Sequence, residues 1–503
     1  MTSSNSSQDE NQKDIAKGAG ANLAGFIIRL GARIPFLLLI GHLYGSSRFG
    51  IYVFGVTYVE TLAFIAIFGF KSSIFKFLSA PITDNNLNEV AHISKNCLAF
   101  CLLIASALVL LTFAAQPILN QVFGPEIARF TVYISPAIFL YTGTEILLTV
   151  TRAFRKMRYE VFVRSLMEPY SLLLLAFIFY MLGIKDSGLL YAYLLMSLIS
   201  FLLAAYAFSR MFTAQDRRGF KLDLPLIKKI TRFSAPTALH DILNFSLQRM
   251  DVYLLAGLVP TSTVGLYGMA LQIATTVKKI KQSFDPIVVP VISQITEGAG
   301  LNTAAQELAR VSYIIACIQT IIIVLLSFYG GALMSLFGSE FAAAGLMLTL
   351  LIIGDLFVGT VGISEYLLLF KRPKINPIIT GVALALHLGL SLALINMFGG
   401  NGAALSVMLT FCFMSFTRLL SVKRVLGVLP VDTRLLRPLL AGFSSWVCLI
   451  ALTHTLPNPS FFVHLFAAVF SFCIYLAILY FMATDTERKN MNALILGIVT
   501  PKN

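Results

Sequence analysis

Residues 21–44 read ANLAGFIIRLGARIPFLLLIGHLY. The run is apolar and slightly longer than the roughly 20 residues a helix needs to cross a bilayer. It also carries Arg29 and Arg33. Four residues apart, the two guanidiniums share one helical face about a turn from each other. Arg near the middle of a membrane costs at least about 2.5 kcal/mol on insertion scales, so a pair on one stripe should face protein or water and not lipid. Counted from Ala21 at 1.5 Å per residue, they sit about 12 and 18 Å into a hydrocarbon core about 30 Å thick. Two charges bracketing the midplane suit a central site better than an interfacial anchor.

The rest of the chain has the same character. Of 503 residues 57% are hydrophobic and 12% charged, and the mean hydropathy is +0.82. This composition predicts an all-α polytopic membrane protein. The polar tail 1–17 (MTSSNSSQDENQKDIAK) is expected to be disordered and cytoplasmic. No short apolar core with a cleavage site is seen, so the first span is expected to be retained. The six cysteines lie in or beside apolar spans without metal-ligand spacing and read as small hydrophobes, so no metal site is expected.

Length and flanks predict about fourteen spans, near 19–44, 49–70, 93–115, 130–152, 162–183, 188–210, 233–259, 263–280, 309–330, 343–370, 376–398, 401–421, 438–456 and 460–483. The formal charge of +14 follows this alternation and does not suggest a nucleic-acid surface. Even-numbered connections hold basic clusters such as Arg152–Arg155–Lys156–Arg158, whereas the odd ones hold Arg48, Arg129 and Lys185. By the positive-inside rule, both termini are cytoplasmic and the odd connections external.

The chain also repeats itself. Leu43 to Tyr52 (LYGSSRFGIY) matches Leu258 to Tyr267 (LVPTSTVGLY), and Phe123 to Ala128 (FGPEIA) matches Phe337 to Ala342 (FGSEFA). Phe154-Arg155-Lys156 matches Phe370-Lys371-Arg372, and all three offsets lie between 214 and 216. Six spans separate the copies, so both enter the membrane in one orientation, as in transporters built from parallel repeats. The domain reading is a cytoplasmic tail (1–17), an N-lobe of six spans (18–212), a cytoplasmic linker (213–231), a C-lobe of six spans (232–424), two appended spans (425–484) and a second cytoplasmic tail (485–503).

The seventh span is the most polar. His240, Asn244, Gln248 and Asp251 recur at helical spacing with Asp241 beside them, a stripe about 100° wide that would line a cavity or a polar contact between helices. Arg249 falls on the other side of that helix, next to the position the repeat aligns with Arg33. It reads equally as a third cation of a pocket and as half of an ion pair. Glu60, Glu145 and Asp355 are intramembrane carboxylates and candidates for coupling to H⁺ or Na⁺. Proline and glycine at Pro35, Pro136, Pro169, Pro236, Pro286, Pro290, Gly354, Gly359 and Gly362 are candidate hinges. No nucleotide-binding, nucleophile or metalloprotease motif is present, so a transporter is expected and not an enzyme.

The opening KGAGANLAGFIIRLGARIPFLLLIGHLYGSSRFGIYVFG, the echo STVGLYGMALQIATT and the FGPEIA and FGSEFA connections resemble the Wzx-type polysaccharide flippases of the multidrug/oligosaccharidyl-lipid/polysaccharide exporter superfamily. That resemblance covers nearly the whole chain. It implies two six-helix lobes around a V-shaped cavity, two additional C-terminal helices, and residence in the plasma (inner) membrane. The implied activity moves an undecaprenyl-diphosphate-linked oligosaccharide repeat unit across the membrane by alternating access, for exopolysaccharide or O-antigen biosynthesis. No cofactor beyond a coupling H⁺ or Na⁺ is implied; membrane lipids and other polysaccharide assembly proteins are the implied partners. Cavity-facing basic residues on the family's first helix fall on Arg29 and Arg33 here, with a diphosphate-binding role. The alternatives are a proton- or Na⁺-coupled multidrug antiporter of the same superfamily and a membrane-embedded glycan polymerase or ligase. The first would want carboxylates facing its organic cation, and the second a large external loop.

Overall fold

The computed structural model describes residues 28–213, 221–298, 300–454 and 461–483. The two polar tails, the start of the first span and part of the linker lie outside the described residues. Within them the chain is helical, with no strand. Nine helices are long and apolar enough to cross a membrane, or ten if the bent pair Pro125–Ile134 and Pro136–Ala153 is one span.

Some of these helices are compound. Ile28–Thr83 runs for 56 residues but is interrupted at Gly45 (φ 76°) and again at Phe68 and Gly69 (φ 49° and 70°). It therefore holds the first two expected spans and a third helix, Phe70–Thr83. Ile375–Leu426 holds the eleventh and twelfth expected spans, divided at Gly399, whose φ of 57° and ψ of −130° only glycine adopts at little cost. The seventh and eighth expected spans fall in Leu224–Leu258 and Thr261–Gly298, each longer than anticipated. Neither is among the nine apolar helices, because His240, Asp241, Asn244, Gln248, Arg249 and Asp251 in the first and Lys278, Lys279 and Lys281 in the second lower their hydropathy. A helix satisfies its own backbone and can run on into polar surroundings, so hydropathy locates the apolar stretch and not the helix end.

The bends follow local chemistry only in part. The bent pair turns by 43° just before Pro136, and the chain leaves helical geometry at Thr360 (φ −108°, ψ −84°), after Gly359. Pro236, Pro286 and Pro290, expected as hinges, lie inside continuous helices. Two π-helical segments, Ile40–Tyr44 and Val161–Met167, have no signature in the sequence.

The chain divides into two compact units. The first runs to Gly268 and takes in Leu336–Phe341; the second holds Met269–Ser335 and the chain from Ala342. In the first, Ile67, Phe70, Ile74, Val90, Cys97, Ile146 and Ile230 form a buried cluster joining five helices. In the second, the last two helices join each other through reciprocal Ser445 and Ser471 hydrogen bonds (Oγ to Oγ 2.7 Å). They join helix Leu301–Ser335 through the Tyr475 hydroxyl, which donates to the Cys317 carbonyl at 2.8 Å. Much of the remaining surface is large and apolar, for instance Leu103, Leu110, Phe443 and Phe481, which suits lipid as the surrounding medium.

The linker side of helix Leu224–Leu258 is capped by Asp223. Its carboxylate accepts the Leu226 amide at 2.9 Å and faces His92 Nε2 at 3.3 Å. The amide bond first, and then His92, hold this carboxyl below its ordinary range. The capping contribution is therefore present at neutral pH and lost as pH falls through the depressed value.

Candidate functional site: a cationic cluster in the first unit

Arg29 and Arg33 lie on the first described helix. Arg29 is exposed and Arg33 half-buried. Arg29 donates to Ser165 Oγ at 3.2 Å, and the Tyr170 hydroxyl donates to the Ile28 carbonyl at 3.2 Å. Both partners belong to helix Met157–Met181, where the π-helical segment carries Ser165. Arg33 lies within electrostatic reach of Arg29, Arg249, Glu60 and Tyr52. The structure thus brings together three cations that the chain separates by more than 200 residues.

Helix Leu224–Leu258 supplies Arg249 by packing along helix Gly45–Ile67. Residues four apart on the first, Phe245, Arg249 and Tyr253, meet Phe64, Glu60 and Thr61 on the second. Phe245 stacks on Phe64 (centroids 4.8 Å apart), Arg249 Nη2 pairs with Glu60 Oε2 at 2.8 Å, and the Tyr253 hydroxyl donates to Thr61 Oγ1 at 2.8 Å. The Arg249 guanidinium also lies 5.7 Å from the Phe245 ring centre. Arg249 is thus both a member of the cluster and half of an ion pair, with an acid on a neighbouring helix as its partner.

The polar stripe of the seventh span divides. Asn244 Nδ2 donates to the His240 carbonyl at 3.1 Å and lies 3.0 Å from its Nε2, while Gln248 Nε2 donates to the Asn244 carbonyl at 3.4 Å. These three form a ladder up one helix face. Asp241 is half-buried, in reach of His240 and Lys71. Asp251 is buried, its carboxylate accepting the Tyr267 hydroxyl and the Val252 amide.

A second cluster of the same unit was not anticipated. Buried Glu145 takes an ion pair from Arg164 and another from Lys71 at 2.9 Å, and Arg164 also pairs with Glu168 at 2.8 Å. The Arg164 guanidinium lies 4.8 Å from the Tyr141 ring centre. Two cations and two carboxylates leave this group neutral. The second unit has a counterpart, in which Glu365 is held by Lys281 at 3.0 Å and Arg418 at 2.7 Å, with Asp285 at 3.3 Å from Lys281. Arg164-x3-Glu168 and Lys281-x3-Asp285 have the spacing of a helical ion pair, the signal that could have found each network.

The three carboxylates read as coupling candidates therefore differ. Glu60 is paired with Arg249, and Glu145 with Arg164 and Lys71. Asp355, 7% exposed, makes no ion pair among the described residues, and Lys278 is the cation in its electrostatic range. No group of three or more metal-ligating side chains occurs among the described residues.

Comparison with solved structures identifies the fold. The lipid II flippase MurJ in an inward closed conformation superposes with a TM-score of 0.75 over 92% of this chain and 98% of that one, at 14% identity. An inward-facing multidrug MATE transporter of the MOP superfamily gives 0.63 over 80% of this chain and 98% of that one, at 15% identity. The fold is shared with both of these proteins. Residues 15–296 match the polysaccharide biosynthesis protein family, and the chain belongs to that family. It is also 22% identical over 472 residues to Agl15 of Haloferax volcanii, named a probable low-salt glycan biosynthesis flippase, covering 90% of this chain and 93% of that protein.

Proposed function

We propose that this protein is an alternating-access flippase for an undecaprenyl-diphosphate-linked oligosaccharide repeat unit, working in cell-surface polysaccharide biosynthesis at the plasma membrane with fourteen spans and both termini in the cytoplasm. The observation that carries this reading is the charge of the cluster. Arg29, Arg33 and Arg249 against Glu60 leave two net positive charges, while the neighbouring Arg164 group is neutral. A diphosphate esterified at both ends carries two negative charges. Guanidiniums bind such oxygens through parallel N–H donors, and do so more strongly where water is scarce. The diphosphate docks on the cluster, the sugar occupies the polar space beside it, and the polyprenyl chain stays in lipid. His240, Asn244 and Gln248 offer hydroxyl-binding groups for the glycan. Family membership and the named flippases among the similar proteins support the same reading.

A multidrug antiporter shares the fold, but an organic cation would be repelled by a site of this sign. Deleting the gene and analysing lipid-linked sugars separates the two. Accumulation of one diphosphate-linked repeat unit on the cytoplasmic side is the expected result, and an unchanged lipid-linked pool with altered drug tolerance would refute the flippase.

Ion coupling is assigned to Asp355, because its carboxylate is buried and not committed to an ion pair. In vesicles containing the purified protein, Asp355→Asn is expected to leave a residual flux that no longer responds to an imposed H⁺ or Na⁺ gradient. Undiminished gradient dependence would remove Asp355 from the mechanism.

A further inference from the structure

We propose that the first turns of helices Gly45–Ile67 and Thr261–Gly298, strapped by the segment 336–341, form the latch that closes the external side of the transport pathway. The proposal rests on the alternating-access reading and names the contact that must break in each cycle.

The repeat offset of 215 relates Ser46 to Thr261 and Gly50 to Gly265. In the structure these four residues meet reciprocally. A methyl on Gly50 would collide with the Thr261 carbonyl, and one on Gly265 with the Ser46 carbonyl. Two equivalent elements touching about a twofold axis must contact each other in this crossed fashion. Small residues four apart on each helix allow the backbones to approach this closely. Ser47 Oγ and Thr261 Oγ1 then share a hydrogen bond of 2.7 Å across the junction.

The strap comes from far along the chain. Segment Leu336–Phe341 groups with the first unit although the residues on either side of it belong to the second. The Phe337 carbonyl lies against Gly41 so closely that any side chain there would displace it. Glu340 then accepts the Ser46 amide at 2.7 Å and the Ser46 hydroxyl at 2.6 Å, satisfying an N–H at the start of a helix with a full negative charge. The repeat counterpart of Glu340 is Glu126, which is exposed and makes no hydrogen bond or ion pair among the described residues. The latch is therefore fastened from one side. By the charge asymmetry of the loops, the connections at 45–48, 259–262 and 336–341 are all external.

External opening requires the two helix starts to separate, which breaks the Ser47–Thr261 bond and withdraws the glycine faces. Glu340 sets how readily this happens, because its two hydrogen bonds hold the first turn of one partner in place.

The test uses the full-length protein in membranes. Ser47→Cys with Thr261→Cys is expected to cross-link under an impermeant oxidant added outside, to abolish flux, and to recover it on reduction; single-cysteine variants control for the native thiols. Cross-linked protein that transports normally, or a pair that never cross-links, would overturn the latch. A second readout needs no substrate. Glu340→Ala is expected to raise the rate at which an external thiol reagent labels Thr261→Cys on the order of tenfold, the scale of one hydrogen bond to a charged group. An unchanged rate would refute the role of Glu340. If deletion of the gene left lipid-linked glycans unaltered, the substrate reading would fail while the labelling result still decided the latch.

Discussion

Arg29→Ala combined with Arg33→Ala is expected to weaken binding of a diphosphate-linked glycan by roughly a hundredfold or more. Each arginine contributes charge-assisted hydrogen bonds worth about 1.5–3 kcal/mol, and about 1.4 kcal/mol is a factor of ten. Arg33 feels the repulsion of Arg29 and Arg249 as well as the attraction of Glu60, so a bound anion would relieve the excess positive charge. Binding of an undecaprenyl diphosphate to the purified protein in nanodiscs measures the effect directly, and surface glycan in complemented cells measures its consequence. Arg29→Lys with Arg33→Lys keeps the charge but loses the planar fork, so it should recover only part of the affinity. Full affinity in the double alanine variant would end the diphosphate-site hypothesis. A return of affinity with any cation would show that charge, and not geometry, is recognised.

The largest effect on stability is expected at Glu145. Its carboxylate is shared between Arg164 and Lys71 in a buried setting, so Glu145→Gln leaves two cations to the single remaining acid, Glu168. Breaking a buried pair by removing one partner costs about 3–5 kcal/mol, because the surviving charge remains desolvated. Glu126→Gln on an exposed connection should stay within about 0.5 kcal/mol. Thermal unfolding in detergent, followed by loss of the monodisperse elution peak, compares the two. The same experiment distinguishes structural from coupling roles. A Glu145→Gln protein that stays stable but loses its gradient dependence would make Glu145 the coupling residue after all.

Glu60 belongs to neither extreme. Its bond to Arg249 is a quarter exposed on the carboxylate side, where the diphosphate would also compete for the guanidinium.

These roles were legible in the sequence to different degrees. Arg29 and Arg33 stood out because charge inside an apolar run is costly wherever it occurs, and four-residue spacing sets a shared face before any tertiary contact forms. Arg249 was ambiguous for the same physical reason. A helix wheel places a side chain on a face but cannot say which neighbour covers that face, and the choice between pocket and ion pair depended on Glu60, 189 residues away. Asp251 shows the limit again. Its spacing put it on the polar stripe, whereas its carboxylate is occupied by the Tyr267 hydroxyl of the next helix.

Arg164 and Arg418 were hidden because the positive-inside rule already accounted for them as loop charges. Both side chains are largely buried, at 15% and 6% exposed, against carboxylates from other segments.

By itself the sequence determined the membrane-spanning helical class, the shared helical face of the first two arginines and the uneven spread of basic residues along the chain. These follow from hydrophobic length, helical period and the cost of placing a charge in lipid, all of which act locally along the chain. Only the tertiary structure decided which carboxylates are neutralised, which polar side chains share a face with the arginines, and that Glu340 fastens a helix nearly 300 residues before it. Those outcomes depend on how helices pack. Packing brings together side chains whose separation in sequence carries no record of the encounter.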